Sequence, residues 1–315
     1  MEKSQAGQRF QNYERLEIEG KAVWVPYPVR IPEFSFVGRE GIIERALAAW
    51  TGFDSLVPLN FRLYGPPGTG KNAIVYELSR ILNKDLYIIN GHQELGPEDI
   101  ACSATMTSKN TVEYVASPLF AAMLRGGICF FDEIGKAPQA ALDPLASVLD
   151  DRRTLTSVLA GIHLKSDERF LFCAALNEIE EEGTGLPGFI DERTMPAIYV
   201  GYPPVQEMEE ILNNRLGLMA GLWSKVFISE FKDKVLSPRT AVILLEYAYR
   251  LYKIKNGNSP ILTEKEIKEY LCRAYRDIDA RGKHEGEGLK DEQKEKKSDA
   301  INSAGFFVGG KDTIH

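Results

Sequence analysis

The chain has 315 residues, of which 44% are hydrophobic and 26% are charged, and its formal net charge is −7. This composition is typical of a globular protein with enough apolar surface for one large domain and a smaller one. The acidic balance argues against broad, sequence-independent binding to nucleic acid, which needs clustered lysine and arginine in excess. No apolar run reaches the roughly 18 residues that a membrane span requires.

Two further features of the sequence bear on where in the cell the protein is expected. The first residues contain no apolar signal core, so we expect a cytoplasmic protein. The cysteines are widely spaced, and they are predicted to be reduced core residues, with no disulfide or metal-binding role. They are Cys102, Cys129, Cys173 and Cys272.

The N-terminal two thirds of the chain alternates between helix-like and strand-like patterns. Residues 1–36 are polar and then rich in proline and aromatic side chains, which predicts an extended N-terminal arm. After this arm, the predicted strands are 56–64, 85–90, 127–131, 169–176 and 197–200, and the predicted helices include 40–50 and 73–82. Apolar strands separated by helices predict a parallel α/β sheet over residues 37–202.

After residue 202 the strand pattern ends. Helical patterns cover 205–216, 222–231, 238–253 and 263–279, which predicts a smaller helical domain over 203–282. Residues 283–315 are predicted to form a charged, flexible tail, because a segment so rich in Lys, Glu, Asp and Gly buries too little apolar surface to order itself.

A glycine-rich segment follows the first predicted strand directly and precedes a predicted helix. Its members are Gly65, Pro66, Pro67, Gly68, Thr69, Gly70, Lys71 and Asn72. This order surrounds an anion with backbone N–H groups and the positive end of the helix, and Lys71 adds a mobile cation. The segment therefore predicts a nucleotide phosphate loop. Asn72 stands where Ser or Thr usually supplies a hydroxyl ligand to Mg²⁺, so we expect slow hydrolysis.

Polar side chains end the third and fourth predicted strands. Asp132 and Glu133 follow an apolar strand at the edge where parallel α/β sheets bind ligands. Asp132 is a candidate Mg²⁺ ligand, with the Asn72 amide oxygen as a weaker one, and Glu133 is a candidate to polarise the attacking water. Asn177 can hydrogen-bond the terminal phosphate and that water. The alternatives are acidic surface residues for the pair and a turn cap for Asn177.

In this order the motifs resemble the AAA+ ATPases, and within them the MoxR and dynein-related branch, over roughly residues 36–250. Three stretches carry the branch assignment. Residues 96–120 look like the family's insertion in its second helix, 133–138 like its Walker B extension, and 155–164 like its hairpin before sensor 1. Within the extension, Gly135-Lys136 replaces the usual Asn-Arg.

The resemblance implies a role for each motif. By this resemblance, residues 65–72 are the Walker A motif and Asp132-Glu133 the Walker B motif. Asn177 is sensor 1, Arg193 is the arginine finger and Arg239 is sensor 2. The turn at Val37-Gly38 is expected to lie near the adenine. An arginine that acts on the next subunit implies a homo-oligomeric ring, a hexamer in this family. The alternatives are a surface arginine at Arg193 and a solvated helix-terminal arginine at Arg239.

The function implied is an ATP-binding and ATP-hydrolysing ring, with ATP and Mg²⁺ bound, that remodels or activates a partner protein. In relatives the partner often carries a von Willebrand factor A domain. A second reading is a nucleotide-binding assembly or regulatory subunit with little turnover, which Asn72 favours. A third is an NTPase subunit of a nucleic-acid defence system, which a basic pore or a fused DNA-reading domain would favour.

Overall fold

The computed structural model describes residues 10–52, 57–106, 111–177, 186–216, 220–257 and 263–279. The chain divides into two compact units. The first ends at Ile211 and also includes Leu236–Arg239, and the second comprises Leu212–Val235 and the residues from Thr240 onward. The tail predicted over 283–315 lies outside the described residues.

A five-stranded parallel sheet forms the centre of the first unit. Its strands are β3 (Phe61–Gly65), β4 (Leu86–Asn90), β7 (Ile128–Asp132), β10 (Leu171–Asn177) and β11 (Ala197–Tyr199). They lie in the order β11-β3-β10-β7-β4, and every pair is parallel. The predicted α/β class is therefore confirmed. The first strand begins at Phe61 and not near residue 56, and Pro58, which cannot donate to a sheet, lies in the segment before it.

Alternate residues of the central strands pack into two different cores. In β7, Cys129 and Phe131 belong to one hydrophobic cluster, whereas Ile128 and Phe130 belong to the other. A sheet that is covered on both faces explains why these strands are apolar throughout and not alternating.

Helices connect the strands. Those of the first unit are α1 (Glu40–Trp50), α2 (Lys71–Leu82), α3 (Pro97–Ile100), α4 (Pro118–Arg125), a 3₁₀ turn (Ile134–Lys136), α5 (Gln139–Leu142), α6 (Leu145–Val148) and α7 (Gly188–Arg193). A further helix, α8 (Val205–Leu216), crosses the division between the units.

The N-terminal segment differs from the extended arm that the sequence predicts. Residues 13–26 form a hairpin of β1 (Tyr13–Ile18) and β2 (Lys21–Pro26). β2 pairs with β6 (Val112–Ala116), which in turn pairs with β5 (Cys102–Met106), so the four strands make a second sheet. Trp24 Nε1 donates to Glu113 Oε2 at 2.7 Å across this sheet. A separate hairpin consists of β8 (Thr154–Ser157) and β9 (Ile162–Lys165).

The second unit is helical in its described part, as the sequence predicts. It contains α9 (Ala220–Phe231), most of α10 (Pro238–Asn256) and α11 (264–279). Its core includes Trp223, Phe227, Leu244, Leu245 and Leu271. No helix in the described part of the chain has both the length and the apolar character needed to cross a membrane.

Candidate nucleotide site

The phosphate loop runs from the end of β3 to the start of α2, and glycines set its path. Gly65 has φ 145°, and a Cβ there would lie 2.3 Å from the carbonyl oxygen of Val200. Gly70 is the N-cap of α2 with φ 96°, which lies in a region that side-chain-bearing residues rarely adopt. These glycines let the loop turn directly from the strand into the helix, which is the backbone form of an anion cradle.

Lys71, the first residue of α2, is only 8% exposed. Its Nζ donates to the carbonyl oxygens of Gly65 at 2.8 Å and Pro66 at 3.1 Å, and to Asn177 Oδ1 at 3.3 Å. Asn177 ends β10 in register with Gly65, which ends β3. The parallel strands therefore bring the predicted lysine and the predicted amide together at one edge of the sheet.

Asn72 and Asp132 form the second contact of the site. Asn72 Nδ2 donates to Asp132 Oδ2 at 2.7 Å. Burial raises the pKa of the Asp132 carboxyl above its usual range, the hydrogen bond from Asn72 lowers it, and the neighbouring Glu133 raises it. The net direction is upward, so ionising Asp132 is less favourable here than for the same carboxyl group in water.

These two side chains also bear on Mg²⁺. In nucleotide sites this ion is held by one or two protein oxygens and by the phosphates and water. Asp132 and the Asn72 amide oxygen are ligands of that kind, so the donor set fits the ion. The Asn72 amide nitrogen donates to one oxygen of Asp132, so the two candidate ligands are already joined by a hydrogen bond.

Glu133 has an unusual backbone. Its φ is 53°, and a Cβ on Gly91 would lie 2.1 Å from its carbonyl oxygen, so the chain is tightly packed at this point. Its carboxylate Oε1 lies 2.8 Å from Lys136 Nζ, and both side chains are nearly half exposed. The candidate base is thus held in an ion pair by a lysine three residues later.

The turn at Val37-Gly38-Arg39 is tied to the phosphate loop by residues that sequence reasoning missed. Arg39 Nη2 donates to the carbonyl oxygens of Thr69 at 3.3 Å and Gly201 at 2.9 Å. Its Nε lies 3.6 Å from Glu207 Oε2, and burial lowers the pKa of Arg39 while Glu207 raises it. A Cβ on Gly38 would clash with Glu207 at 2.3 Å. Nothing in the local sequence around Glu207 indicates this contact.

The segment containing Arg239 also reaches the phosphate loop. The backbone N–H of Arg239 donates to the Gly68 carbonyl oxygen at 3.4 Å. A Cβ on Gly68 would lie 2.8 Å from Ser237 Oγ and 3.2 Å from Arg239 Cβ. This places Arg239 beside the loop, where the sequence predicts a residue that senses the nucleotide.

Arg193 lies at the amino ends of the parallel strands, opposite the carboxyl ends where the phosphate loop lies. It ends α7, shortly before β11 begins, whereas the phosphate loop follows β3 directly, and the two strands are parallel. Residues that precede a strand and residues that follow its parallel neighbour lie at opposite edges. Arg193 lines an open cavity of about 870 Å³ with residues 57–60 and 148–151. Its Nη1 donates to the Phe189 carbonyl oxygen at 2.9 Å.

Comparisons with known proteins identify the domain around this site. Residues 60–191 match the family described as AAA domain (dynein-related subfamily). Over these residues the chain is therefore similar to AAA domains of the dynein-related subfamily. The matched range contains the phosphate loop, Asn72, Asp132, Glu133 and Asn177, and it ends just before Arg193.

Curated relatives of the AAA domain match over part of their own length. The chain is 31% identical over 155 residues to the uncharacterized protein YojN of Bacillus subtilis, a match that covers 47% of this chain and 50% of that protein. It is 30% identical over 163 residues to the denitrification regulatory protein NirQ of Stutzerimonas stutzeri, covering 51% of this chain and 58% of that protein. The chain thus spans about half the length of these relatives.

Solved structures share the fold. A mutant form of RuvB from Thermotoga maritima matches with a TM-score of 0.53 and 17% identity, over 77% of this chain and 71% of that one. NtrX from Brucella abortus, solved in complex with ADP, matches with a TM-score of 0.53 and 15% identity, over 74% of this chain and 54% of that one. At this identity the likeness establishes the AAA fold and nothing finer.

Proposed function

We propose that this chain binds and hydrolyses ATP as a subunit of a homo-oligomeric ring, and that the ring remodels or activates a partner protein. The main observation in support is that four residues predicted from the sequence contact one another at one edge of the sheet. Lys71 is hydrogen-bonded to Asn177, and Asn72 is hydrogen-bonded to Asp132. Phosphoryl transfer needs little covalent chemistry from the protein, so a cradle, a cation and placed polar groups are the essential parts.

In the proposed mechanism the loop N–H groups and Lys71 bind the terminal phosphates of ATP. Lys71 exchanges its contacts with the Gly65 and Pro66 carbonyls for phosphate oxygens. Bound Mg²⁺, held by Asp132 and the Asn72 oxygen, would neutralise developing charge on the phosphates. Glu133 orients the attacking water and accepts its proton, after leaving Lys136, and Asn177 positions that water through its amide.

Arg193 is proposed to act on a neighbouring subunit. It lies at the sheet edge opposite its own phosphate loop, so an arginine there contributes to hydrolysis by reaching the nucleotide of the next subunit. This requirement makes activity depend on assembly, in a ring that we propose to be hexameric. Arg239, which lies beside Gly68, is proposed to respond to the terminal phosphate.

We further propose the MoxR-like branch and a partner with a von Willebrand factor A domain. The dynein-related family match and the β5–β6 and β8–β9 hairpins at the positions expected for that branch support the first of these. The partner remains a proposal by resemblance alone.

A second candidate function is a regulatory subunit that binds ATP and turns it over slowly. Two contacts favour it: the Asn72 amide donates to Asp132, and Lys136 holds Glu133. Both engage a group that hydrolysis needs. The similarity to a protein named as a denitrification regulator is consistent with such a role.

Binding and hydrolysis of ATP by the purified chain, with Mg²⁺ and beside GTP, test the proposal. Lys71→Ala is expected to abolish binding, whereas Glu133→Gln is expected to keep binding and stop turnover. Lys265→Ala and Glu168→Gln, which change exposed residues of the same types, serve as matched controls. Turnover at the parent rate in Glu133→Gln would refute the assignment of the base. Tight binding without turnover in the parent would favour the regulatory subunit.

A further inference from the structure

Arg62 is a buried cation in the central sheet that the proposed mechanism does not use. It lies on β3, between Phe61 and Leu63, and its side chain is only 6% exposed. A charged side chain is rarely buried without partners, because removing it from water is costly unless an opposite charge and hydrogen bonds offset the loss. The partners of Arg62 therefore show what its burial achieves.

Those partners lie on both sides of Arg193. Arg62 Nη2 lies 2.7 Å from Asp191 Oδ1. Its Nη1 donates to the Asp191 carbonyl oxygen at 3.0 Å, and to the carbonyl oxygen and Oγ1 of Thr194, each at 3.3 Å. One guanidinium thus fixes the residue two before Arg193 and the residue directly after it.

Thr194 strengthens this attachment. It is fully buried, and its hydroxyl donates to the Ile190 carbonyl oxygen at 2.8 Å, so it closes the last turn of α7. The backbone N–H of Arg62 also donates to the Pro196 carbonyl oxygen at 3.2 Å. The end of α7 and the segment up to Pro196 are therefore bound to β3 by side chain and backbone, and Arg193, within this stretch, lines the open cavity.

We propose that Arg62 is a positioning residue for Arg193: it holds the end of α7 against β3 so that Arg193 projects correctly toward a neighbouring subunit. This inference rests on the proposed action of Arg193 in trans. The planar guanidinium suits the task, because two nitrogens at fixed positions bind the Asp191 carboxylate and two carbonyl groups, whereas a lysine would have to reach all three from a single nitrogen. A small displacement of a group in the transition state is costly, on the order of a hundredfold in rate for ~1 Å.

Mixing subunits separates this role from general stability. One subunit, the donor, supplies Arg193 to its neighbour; it carries Glu133→Gln, so it keeps Arg193 and ATP binding but has no base of its own. The other subunit, the acceptor, carries Arg193→Ala and keeps its own Glu133 as the base. If Arg193 acts in trans, the mixture hydrolyses ATP faster than either variant alone. Arg62→Met is then added either to the donor or to the acceptor.

The expected result is asymmetric. Arg62→Met in the donor should lower the restored rate at least about tenfold, because its Arg193 is misplaced. The same substitution in the acceptor should leave the restored rate and the KM for ATP nearly unchanged, since the acceptor uses its partner's arginine. If Arg62 had only a structural role, Arg62→Met would lower the restored rate equally in the donor and in the acceptor.

Equal loss in donor and acceptor, or full restoration by the Arg62→Met donor, would overturn the inference while leaving trans action intact. No restoration by the Glu133→Gln donor itself would refute trans action by Arg193, and this inference with it. If Arg62→Met does not fold, Asp191→Asn replaces it, because the Asp191 side chain is half exposed and its change removes the same ion pair. The same donor-specific loss, smaller in size, is expected, and its absence counts against the inference.

Discussion

The ion pair between Glu133 and Lys136 gives a prediction whose size follows from the structure. The two charged atoms are 2.8 Å apart, and the Lys136 and Glu133 side chains are 45% and 41% exposed. Pairs with this exposure stabilise by about 0.2–1 kcal/mol in measured cases. Glu133 must leave this pair before it can polarise water, so Lys136→Ala should lower the barrier to hydrolysis by up to that amount.

Converted to a rate, this gives an increase in kcat of about 1.4- to 5-fold at low salt. The assay is steady-state ATP hydrolysis at saturating ATP, with Lys165→Ala as the control at an exposed lysine. Because salt screens an exposed pair, the ratio of variant to parent rate should fall toward one as ionic strength rises. An unchanged or lower kcat in Lys136→Ala would refute the reasoning and indicate that the lysine helps to position Glu133.

Three further predictions concern the site and the core. Asn72→Thr should raise turnover, because a hydroxyl ligand replaces an amide that engages Asp132; unchanged or lower turnover in the same assay would mean that the site is built around the amide. Asp132→Asn should raise the Tm of the nucleotide-free protein near neutral pH. Burial raises the pKa of Asp132, so the ionised carboxylate destabilises the folded parent protein above that pKa. The increase in Tm of Asp132→Asn over the parent should therefore shrink as the pH falls through the Asp132 pKa, and an equal increase at all pH values would contradict this prediction. Burial raises the pKa of all four cysteine thiols, that of Cys102 to about 12, but only Cys272 is partly exposed, so a thiol-reactive dye should label Cys272 first, and equal labelling rates in the native protein would count against this.

Much of the site could be predicted because its residues follow strands. Parallel strands end at one edge, so the motifs after β3, β7 and β10 are expected to meet there, and Lys71, Asp132 and Asn177 do. The sequence order of the motifs, and not any single one, carries that prediction.

The parts that could not be predicted depend on contacts between distant segments. The N-terminal hairpin joins a sheet with residues 102–106 and 112–116, and nothing local in the hairpin sequence identifies these strands as its partners. Arg62 is a charge within an apolar strand, which is a signal of a buried pair, but its partner is 129 residues away. The Glu133–Lys136 pair, three residues apart, is a contact that spacing alone could have indicated.

The claim that Arg193 acts on the nucleotide of the next subunit is tested most directly by measuring the ATP hydrolysis rate per subunit across a range of protein concentrations. The measurement is made for the parent and for Arg193→Ala. The parent rate per subunit should rise with concentration as subunits assemble, and the rate of Arg193→Ala should stay low throughout while ATP still binds. A parent rate independent of concentration, with Arg193→Ala equally active, would contradict the claim that one subunit completes the nucleotide site of the next.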